Sequence, residues 1–152
     1  AARRKGQAAQ PEQHEPAPAG TLILLVEDDP RVARSTQSSL EELGYRVIAC
    51  ESGREALELM AKNPGIELVI TDVMMPEMTG PELVRILTER YPEVSVLFVT
   101  GYAGEAGEAA DLSGYDMLRK PFTVAALADA VSAAIAHRLS VSRPASATAA
   151  AG

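Results

Sequence analysis

The sequence predicts an α/β fold of the (βα)5 type, in which five parallel strands alternate with helical segments. Three observations lead to this prediction. Short runs of apolar, β-prone residues alternate with stretches in which apolar residues recur at helical spacing. The runs Thr21–Val26 and Leu68–Thr71 contain no charged residue, as expected for strands covered on both faces. Both runs end on acidic residues, and the carboxyl ends of parallel strands are where such folds place ligands.

Length and composition narrow the class of protein. With 152 residues the chain has room for one domain, and its net charge of −7 argues against a nucleic-acid surface. Cys50 is the single cysteine, so we expect no disulfide and a buried, inert thiol. No bilayer-length apolar stretch and no signal peptide are present. We therefore expect a soluble cytoplasmic domain without membrane contact, cut from a longer protein because an initiator Met is missing.

The chain divides into three parts. Residues 1–20 and 139–152 are rich in Ala, Pro, Gln and Ser and hold almost no large apolar side chains. Such segments cannot bury enough surface to offset their ordering entropy, so we expect a disordered linker and a disordered tail. Residues 21–138 remain for the folded domain.

The elements follow in order along this domain. After the first strand, Asp29 and Pro30 suit a helix start, and Gly44 a helix end. The second strand is Tyr45–Ala49, and Ser52 opens the next helix. The remaining signals are a third strand ending at Asp72, a helix capped by Thr79, a fourth strand Val94–Thr100, a weak helix within the Gly-rich residues 101–114, a fifth strand Tyr115–Leu118, and a last helix capped by Thr123.

Four places lie at strand ends and so at one edge of the predicted sheet: Glu27-Asp28-Asp29, Asp72, Thr100 and Lys120. Each alone has an ordinary explanation, such as helix capping for Asp29 or turn chemistry for Asp72. Together, clustered carboxylates repel one another unless a cation joins them, and oxygen ligands without His or Cys favour Mg²⁺, or Mn²⁺ in its place. A lysine and a hydroxyl nearby would complete a clamp for a phosphoryl group, which suggests phosphoryl transfer to a carboxylate.

The motifs Leu24–Asp29, Val69–Gly80, Val99–Gly101 and Lys120–Phe122 resemble the receiver domain of two-component response regulators, over roughly residues 21–138. The resemblance implies a flavodoxin-like three-layer sandwich with strand order 2-1-3-4-5 and a cis bond into Pro121. It also implies a role for each matching residue: Asp72 as phosphoacceptor, Asp28, Asp72 and the backbone carbonyl of Met74 as Mg²⁺ ligands, Glu27 acting through metal-bound water, Thr100 as switch hydroxyl, and Lys120 as the cation on the phosphoryl group.

The resemblance further implies a partner, a histidine kinase or a histidine phosphotransfer protein, and a domain that catalyses its own phosphorylation and dephosphorylation. The residues around Thr100 and Lys120 are most similar to receivers of hybrid sensor histidine kinases, although a single-domain regulator is an alternative parent protein. A weak homodimer is a further possibility. Two other functions are a constitutive interaction module and an aspartyl phosphatase, although Met74 stands where such phosphatases carry a second acid. Flavin or nucleotide binding would also suit this topology, but the chain has no glycine-rich phosphate-binding loop after the first strand.

Two features depart from the family pattern. Met117 stands three residues before Lys120, where receivers usually carry an aromatic ring that moves with the switch threonine. The stretch between Thr100 and Lys120 is also slightly short and rich in glycine. We expect either that Tyr102 takes over as the gating ring or that it is an exposed loop residue. We expect the methionines 74, 75 and 78 to cover the acceptor loop and contribute to a partner surface.

Overall fold

A computed structural model of the protein describes residues 20–101 and 115–136. Strands and helices alternate along these ranges. In chain order they are β1 Leu22–Val26, α1 Pro30–Glu42, β2 Arg46–Cys50, α2 Gly53–Lys62, β3 Ile66–Asp72, α3 Gly80–Arg90, β4 Ser95–Thr100 and β5 Asp116–Arg119, followed by a last helix over residues 124–136.

The five strands form one parallel sheet of order β2-β1-β3-β4-β5. This confirms the predicted α/β class and the strand order implied by the resemblance. β3 is the central strand. It pairs with β1 so that Leu24 lies opposite Val69 and Val26 opposite Thr71. Because β1, β3 and β4 all run in the same direction, Val26, Asp72 and Thr100 end at the same edge of the sheet.

Helix starts are fixed by the capping residues that the sequence predicts. The Asp29 side chain accepts a hydrogen bond from the Arg31 N–H at 3.0 Å, and Pro30 opens α1. Ser52 accepts from the Glu55 N–H at 3.2 Å at the start of α2. Gly44, which follows α1, has a φ of +97°, a conformation that costs glycine little and explains why α1 ends there.

Two apolar layers cover the sheet, one on each face. The layer beneath α2 and α3 contains Leu24, Val26, Ala56, Met60, Val69, Leu83 and Leu87. The layer beneath α1 and the last helix contains Ile23, Leu25, Leu40, Leu68, Ile70, Leu97, Leu127 and Val131. Alternate residues of β1, and of β3 from Leu68 to Ile70, therefore face opposite layers, which is why these stretches contain no polar residue.

A few boundaries differ from the predicted ones. β3 begins at Ile66, two residues before the apolar run, and its polar Glu67 is exposed beside a register shift between β1 and β3. β2 begins at Arg46, and β5 covers Asp116–Arg119. Among the described residues, no helix is both long and apolar enough to cross a membrane. The predicted linker, the tail and the helix within residues 101–114 fall largely outside the described ranges, so the domain limits stay predictions.

Candidate functional site: an acidic pocket at the carboxyl edge of the sheet

The four predicted places meet at one edge of the sheet. Glu27 follows β1 directly and is buried, and Asp28 beside it is exposed. Asp72 is the last residue of β3 and is 7% exposed, and Thr100 is the last residue of β4 and is 2% exposed. Lys120 follows β5. The strand ends thus bring together side chains that are far apart in the sequence.

Lys120 joins two of the carboxylates. Its Nζ lies 2.9 Å from Glu27 Oε1 and 3.1 Å from Asp72 Oδ1. Its backbone N–H donates to the carbonyl oxygen of Thr100 at 2.8 Å, so β4 holds the lysine in place from the main chain as well. The peptide bond between Lys120 and Pro121 is cis, as the resemblance implies.

Glu27 is held from both sides. Its Oε2 accepts a hydrogen bond from the Asp29 N–H at 3.1 Å, while its Oε1 accepts from Lys120. The contact between Glu27 and Lys120 was not foreseen from the sequence, where the glutamate was expected to act mainly through a metal-bound water. The signal was present in part, since parallel strands place both residues at the same edge, but a strand order says nothing about which carboxylate a lysine contacts.

In the absence of a further cation, the pocket makes Asp72 harder to ionise than it would be in water. Burial and, to a smaller extent, the neighbouring Glu27 raise the pKa of Asp72, Lys120 acts in the opposite direction, and the net pKa is about 7. For Lys120, burial lowers the pKa, but the hydrogen bonds and charges of Glu27 and Asp72 outweigh it, and the net shift is upward. A single ammonium group therefore does not compensate the two buried carboxylates.

The donor set fits a hard divalent cation. Carboxylate oxygens of Glu27, Asp28 and Asp72 all lie within 4.8 Å of one another. Oxygen donors of this kind, without sulfur or imidazole among them, are the ligands that Mg²⁺ prefers. A bound cation would also relieve the repulsion that raises the pKa of Asp72. The residues present thus fit Mg²⁺, and this geometry does not distinguish Mg²⁺ from Mn²⁺.

The loop between β3 and α3 follows Asp72 directly and contains three methionines. Met74 is 46% exposed, as expected for a residue at a partner surface. Met75, in contrast, is buried in the layer beneath α2 and α3, and Met78 is half-buried and packs against Gly53. The prediction that all three methionines contribute to a surface is therefore wrong for Met75, because the loop turns its side chain into the core.

Met117 stands at the position of the usual switch aromatic, and Tyr102 is the residue expected to take over its role. Met117 lies on β5 and is 39% exposed. Tyr102 lies outside the described residues. The aromatic residue that sequence reasoning missed is Tyr115, whose ring meets the buried Phe98 edge to face at a centroid distance of 5.5 Å. Its position before a short edge strand gave no signal for that contact.

An α/β domain with this strand order and a lysine beside three clustered acids corresponds to the phosphoacceptor modules of two-component signalling. Residues 23–132 match the response regulator receiver domain family. The chain belongs to this family.

Relatives include a kinase and a small regulator. The chain is 41% identical over 113 residues to the sensor kinase CckA of Brucella abortus, and the match covers 72% of the chain and 12% of CckA. It is 42% identical over 84 residues to the response regulator receiver protein CpdR of the same organism, which covers 55% of the chain and 69% of CpdR. The chain thus spans about an eighth of the first relative and about two thirds of the second.

Solved structures of receiver domains and response regulators share this fold. A receiver domain from the hybrid histidine kinase CckA has a TM-score of 0.64 at 31% identity, covering 75% of this chain and 98% of that one. The response regulator TrrA of Thermotoga maritima, solved in complex with Mg²⁺–BeF, has a TM-score of 0.67 at 25% identity, covering 73% and 96%. The chain is therefore a receiver domain of two-component signalling with an acidic pocket that fits Mg²⁺.

Proposed function

We propose that this domain accepts a phosphoryl group from a phosphohistidine onto Asp72 and changes its partner binding as a result. The observation that carries the proposal is the convergence of Lys120 and two further carboxylates on Asp72, with Lys120 Nζ 3.1 Å from Asp72 Oδ1. A buried carboxylate flanked by an ammonium group has a nucleophile and a cation for the transferred phosphate in one place.

The transfer exchanges one bond to phosphorus for another. A carboxylate oxygen of Asp72 forms a P–O bond while the P–N bond to the donor imidazole breaks, and the electron pair of that bond leaves with the imidazole nitrogen. Lys120 neutralises the equatorial phosphoryl oxygens, for which it is already held by Glu27 and by the Thr100 carbonyl. Asp28, Asp72 and the backbone carbonyl of Met74 would hold Mg²⁺, with Glu27 acting through water, and the ion would supply charge neutralisation when bound.

The readout starts at Thr100. Its side chain is buried at the end of β4, next to the strand that carries Asp72. A phosphoryl group on Asp72 offers a new acceptor to the Thr100 hydroxyl, and a change in its position favours one of two arrangements of the β4 and β5 surface. Met117 on β5 and Tyr102 after β4 are the residues we propose to respond.

A small acyl-phosphate donor tests the phosphoacceptor role. With acetyl phosphate and Mg²⁺, we expect one phosphoryl group per chain, detected by intact-mass spectrometry and lost with EDTA. Asp72→Asn is expected to remove it, whereas Asp129→Asn, at an exposed acid of the last helix, should leave it unchanged. Phosphorylation that persists in Asp72→Asn would contradict the assignment, and no phosphorylation of the wild type would favour a constitutive interaction module.

We also propose a hybrid sensor histidine kinase as the parent protein, located in the cytoplasm at least for this domain. The support is the 41% identity to CckA over 113 residues, while the 42% identity to CpdR supports a stand-alone regulator over a shorter stretch. Phosphotransfer profiling against histidine kinases and histidine phosphotransfer proteins distinguishes the two parents. Preferred exchange with a phosphotransfer protein supports the hybrid parent, and preferred phosphorylation by a separate kinase supports the stand-alone regulator.

A further inference from the structure

Two glycines occupy the same position in two neighbouring helices. Gly53 is the first residue of α2 and Gly80 is the first residue of α3, each directly after its N-cap, and both are buried. Neither has a positive φ, so neither backbone conformation requires glycine. The reason for a glycine must then be sought in what surrounds its Cα.

The surroundings differ in one respect. A Cβ on Gly53 would lie 2.6 Å from Met78 Sδ, the flexible part of a half-buried side chain. A Cβ on Gly80 would overlap the carbonyl oxygen of Asp72 and lie 3.1 Å from both the Asp72 carbonyl carbon and Val73 Cα. A thioether can rotate away at small cost, but the main chain at the end of a central strand cannot.

The Asp72 carbonyl also has a side-chain hydrogen-bond donor. Thr71 Oγ1 donates to it at 3.1 Å, and Thr71 is completely buried. The Gly80 N–H donates to the carbonyl oxygen of Val73 at 2.8 Å, and the Val73 N–H donates to the Val99 carbonyl at 3.1 Å. The start of α3 is thus bonded directly to the residue after Asp72, with no space between the two segments.

We infer that Gly80 is a positioning residue for Asp72: its bare Cα lets α3 begin in contact with the Asp72 main chain and thereby sets where the Asp72 carboxylate stands in the acidic pocket. Any side chain at position 80 must push either α3 or the end of β3 aside. The second movement displaces Asp72 relative to Glu27, Asp28 and Lys120. The inference rests on the proposed function only in taking Asp72 as the reacting group.

The test compares Gly80→Ala with Gly53→Ala, which makes the same substitution at the same helix position. Mg²⁺ affinity is measured by calorimetric titration and the phosphorylation rate with acetyl phosphate. We expect Gly53→Ala to stay within about twofold of the wild type, because alanine suits a helix start and Met78 can move. We expect Gly80→Ala to bind Mg²⁺ roughly tenfold more weakly and to react about 100-fold more slowly, since misplacing a reacting group by about 1 Å costs this order.

A readout without metal or donor separates positioning from general destabilisation. In ¹H–¹⁵N spectra of the metal-free proteins, Gly80→Ala should shift the amides of Asp72 and Val73 while those of β2 keep their wild-type positions. If Gly80→Ala does not fold in buffer, the measurements are made in trimethylamine N-oxide, which strengthens the folded state. A variant that stays unfolded even there would overturn the inference, because the glycine would then serve the fold as a whole.

Equal Mg²⁺ affinity and equal rates in the two variants would also overturn the inference. That result is distinguishable from a failure of the proposed function. If the wild type itself neither binds Mg²⁺ nor accepts a phosphoryl group, the proposed function fails, whereas the amide shifts of the metal-free proteins still decide whether Gly80 sets the position of Asp72.

Discussion

The central strand β3 has two parts with different chemistry: an apolar stretch and the buried carboxylate at its end. From Leu68 to Ile70 the side chains are buried in the two apolar layers, and Thr71 after them is also buried. The next residue, Asp72, is almost as buried but is a carboxylate whose neighbours include Glu27. The first part of the strand stabilises the fold by removing apolar surface from water. The last residue has the opposite effect, because burial of a charge without a sufficient partner is unfavourable.

This difference explains how the domain can hold a pocket of buried carboxylates that repel one another. The residues that destabilise the metal-free protein stand at the edge of the sheet, where a cation can enter and compensate them. Leu68, Val69 and Ile70, which hold the strand in place, lie further inside the sheet and pack into the apolar layers. Function and stability are therefore separated along one strand, and substitutions at its two parts should change the free energy of unfolding in opposite directions.

The largest effect is expected in the apolar part. Leu68→Ala removes a fully buried side chain between the last helix and the sheet and should lower the free energy of unfolding by about 3 kcal/mol, from lost burial and a residual cavity. Urea titration followed by circular dichroism measures it. Glu67→Ala, at the exposed neighbour on the same strand, serves as control and should change stability by less than about 0.5 kcal/mol. Equal losses in both variants would contradict the separation.

The second effect has the opposite sign. In metal-free protein at pH 8, Asp72→Asn should raise the free energy of unfolding by roughly 1–3 kcal/mol, because a neutral amide replaces a carboxylate that burial and Glu27 disfavour. With saturating Mg²⁺ the order should reverse, since only the wild type gains from a ligand that binds the folded state. Chemical unfolding with and without Mg²⁺ measures both. A variant less stable than the wild type in EDTA would show that the bond to Lys120 outweighs the repulsion.

The third effect is a dependence on pH. The folded-state pKa of Asp72, about 7, lies above its ordinary value of 3.8. Between these values the folded protein holds a proton that the unfolded chain has lost, so stability falls as pH rises from about 4 towards 7, by up to about 1.4 kcal/mol per pH unit. Lys120 does not contribute in this window, because its pKa is raised above 10.5.

Mg²⁺ binding should show the reverse trend, since protons compete with the cation for Asp72. Affinity should increase with pH up to about 7 and then level off, approaching tenfold per pH unit at its steepest. Calorimetric titrations between about pH 5.5 and 8.5 measure this affinity, because that range covers the titration of Asp72. A stability that is flat with pH in the wild type, matching Asp72→Asn, would contradict the raised pKa.

The strands, the helix caps and the meeting of the site residues could be predicted from the sequence. β1 and the apolar part of β3 were predictable because a strand buried on both faces cannot contain polar residues, and the caps Asp29 and Thr79 because an exposed N–H needs a side-chain acceptor. The meeting of Glu27, Asp72 and Lys120 followed from parallel strand ends.

Side-chain direction within the loop was not predictable in the same way. Met74 and Met75 have identical chemistry, yet one is exposed and the other is buried, and only the path of the loop decides which. The close approach of Gly80 to Asp72 likewise depends on a backbone distance that no local pattern encodes. The start of β3 at Ile66 was missed because Glu67 interrupts the apolar run that marked the strand.

The smallest effect concerns the N-caps of α2 and α3. Thr79 forms a capping box in which its side chain accepts from the Glu82 N–H at 3.2 Å and Glu82 accepts from the Thr79 N–H at 2.9 Å. Thr79→Ala and Ser52→Ala should each lower the free energy of unfolding by about 1 kcal/mol. Only Thr79→Ala should also weaken Mg²⁺ binding, by about threefold, because α3 begins against the Asp72 main chain whereas α2 does not. Urea titration and calorimetry on both variants measure the two quantities. An equal loss of Mg²⁺ affinity in Ser52→Ala would show that the pocket responds to overall stability, and that the apolar and acidic parts of the molecule are less separate than β3 suggests.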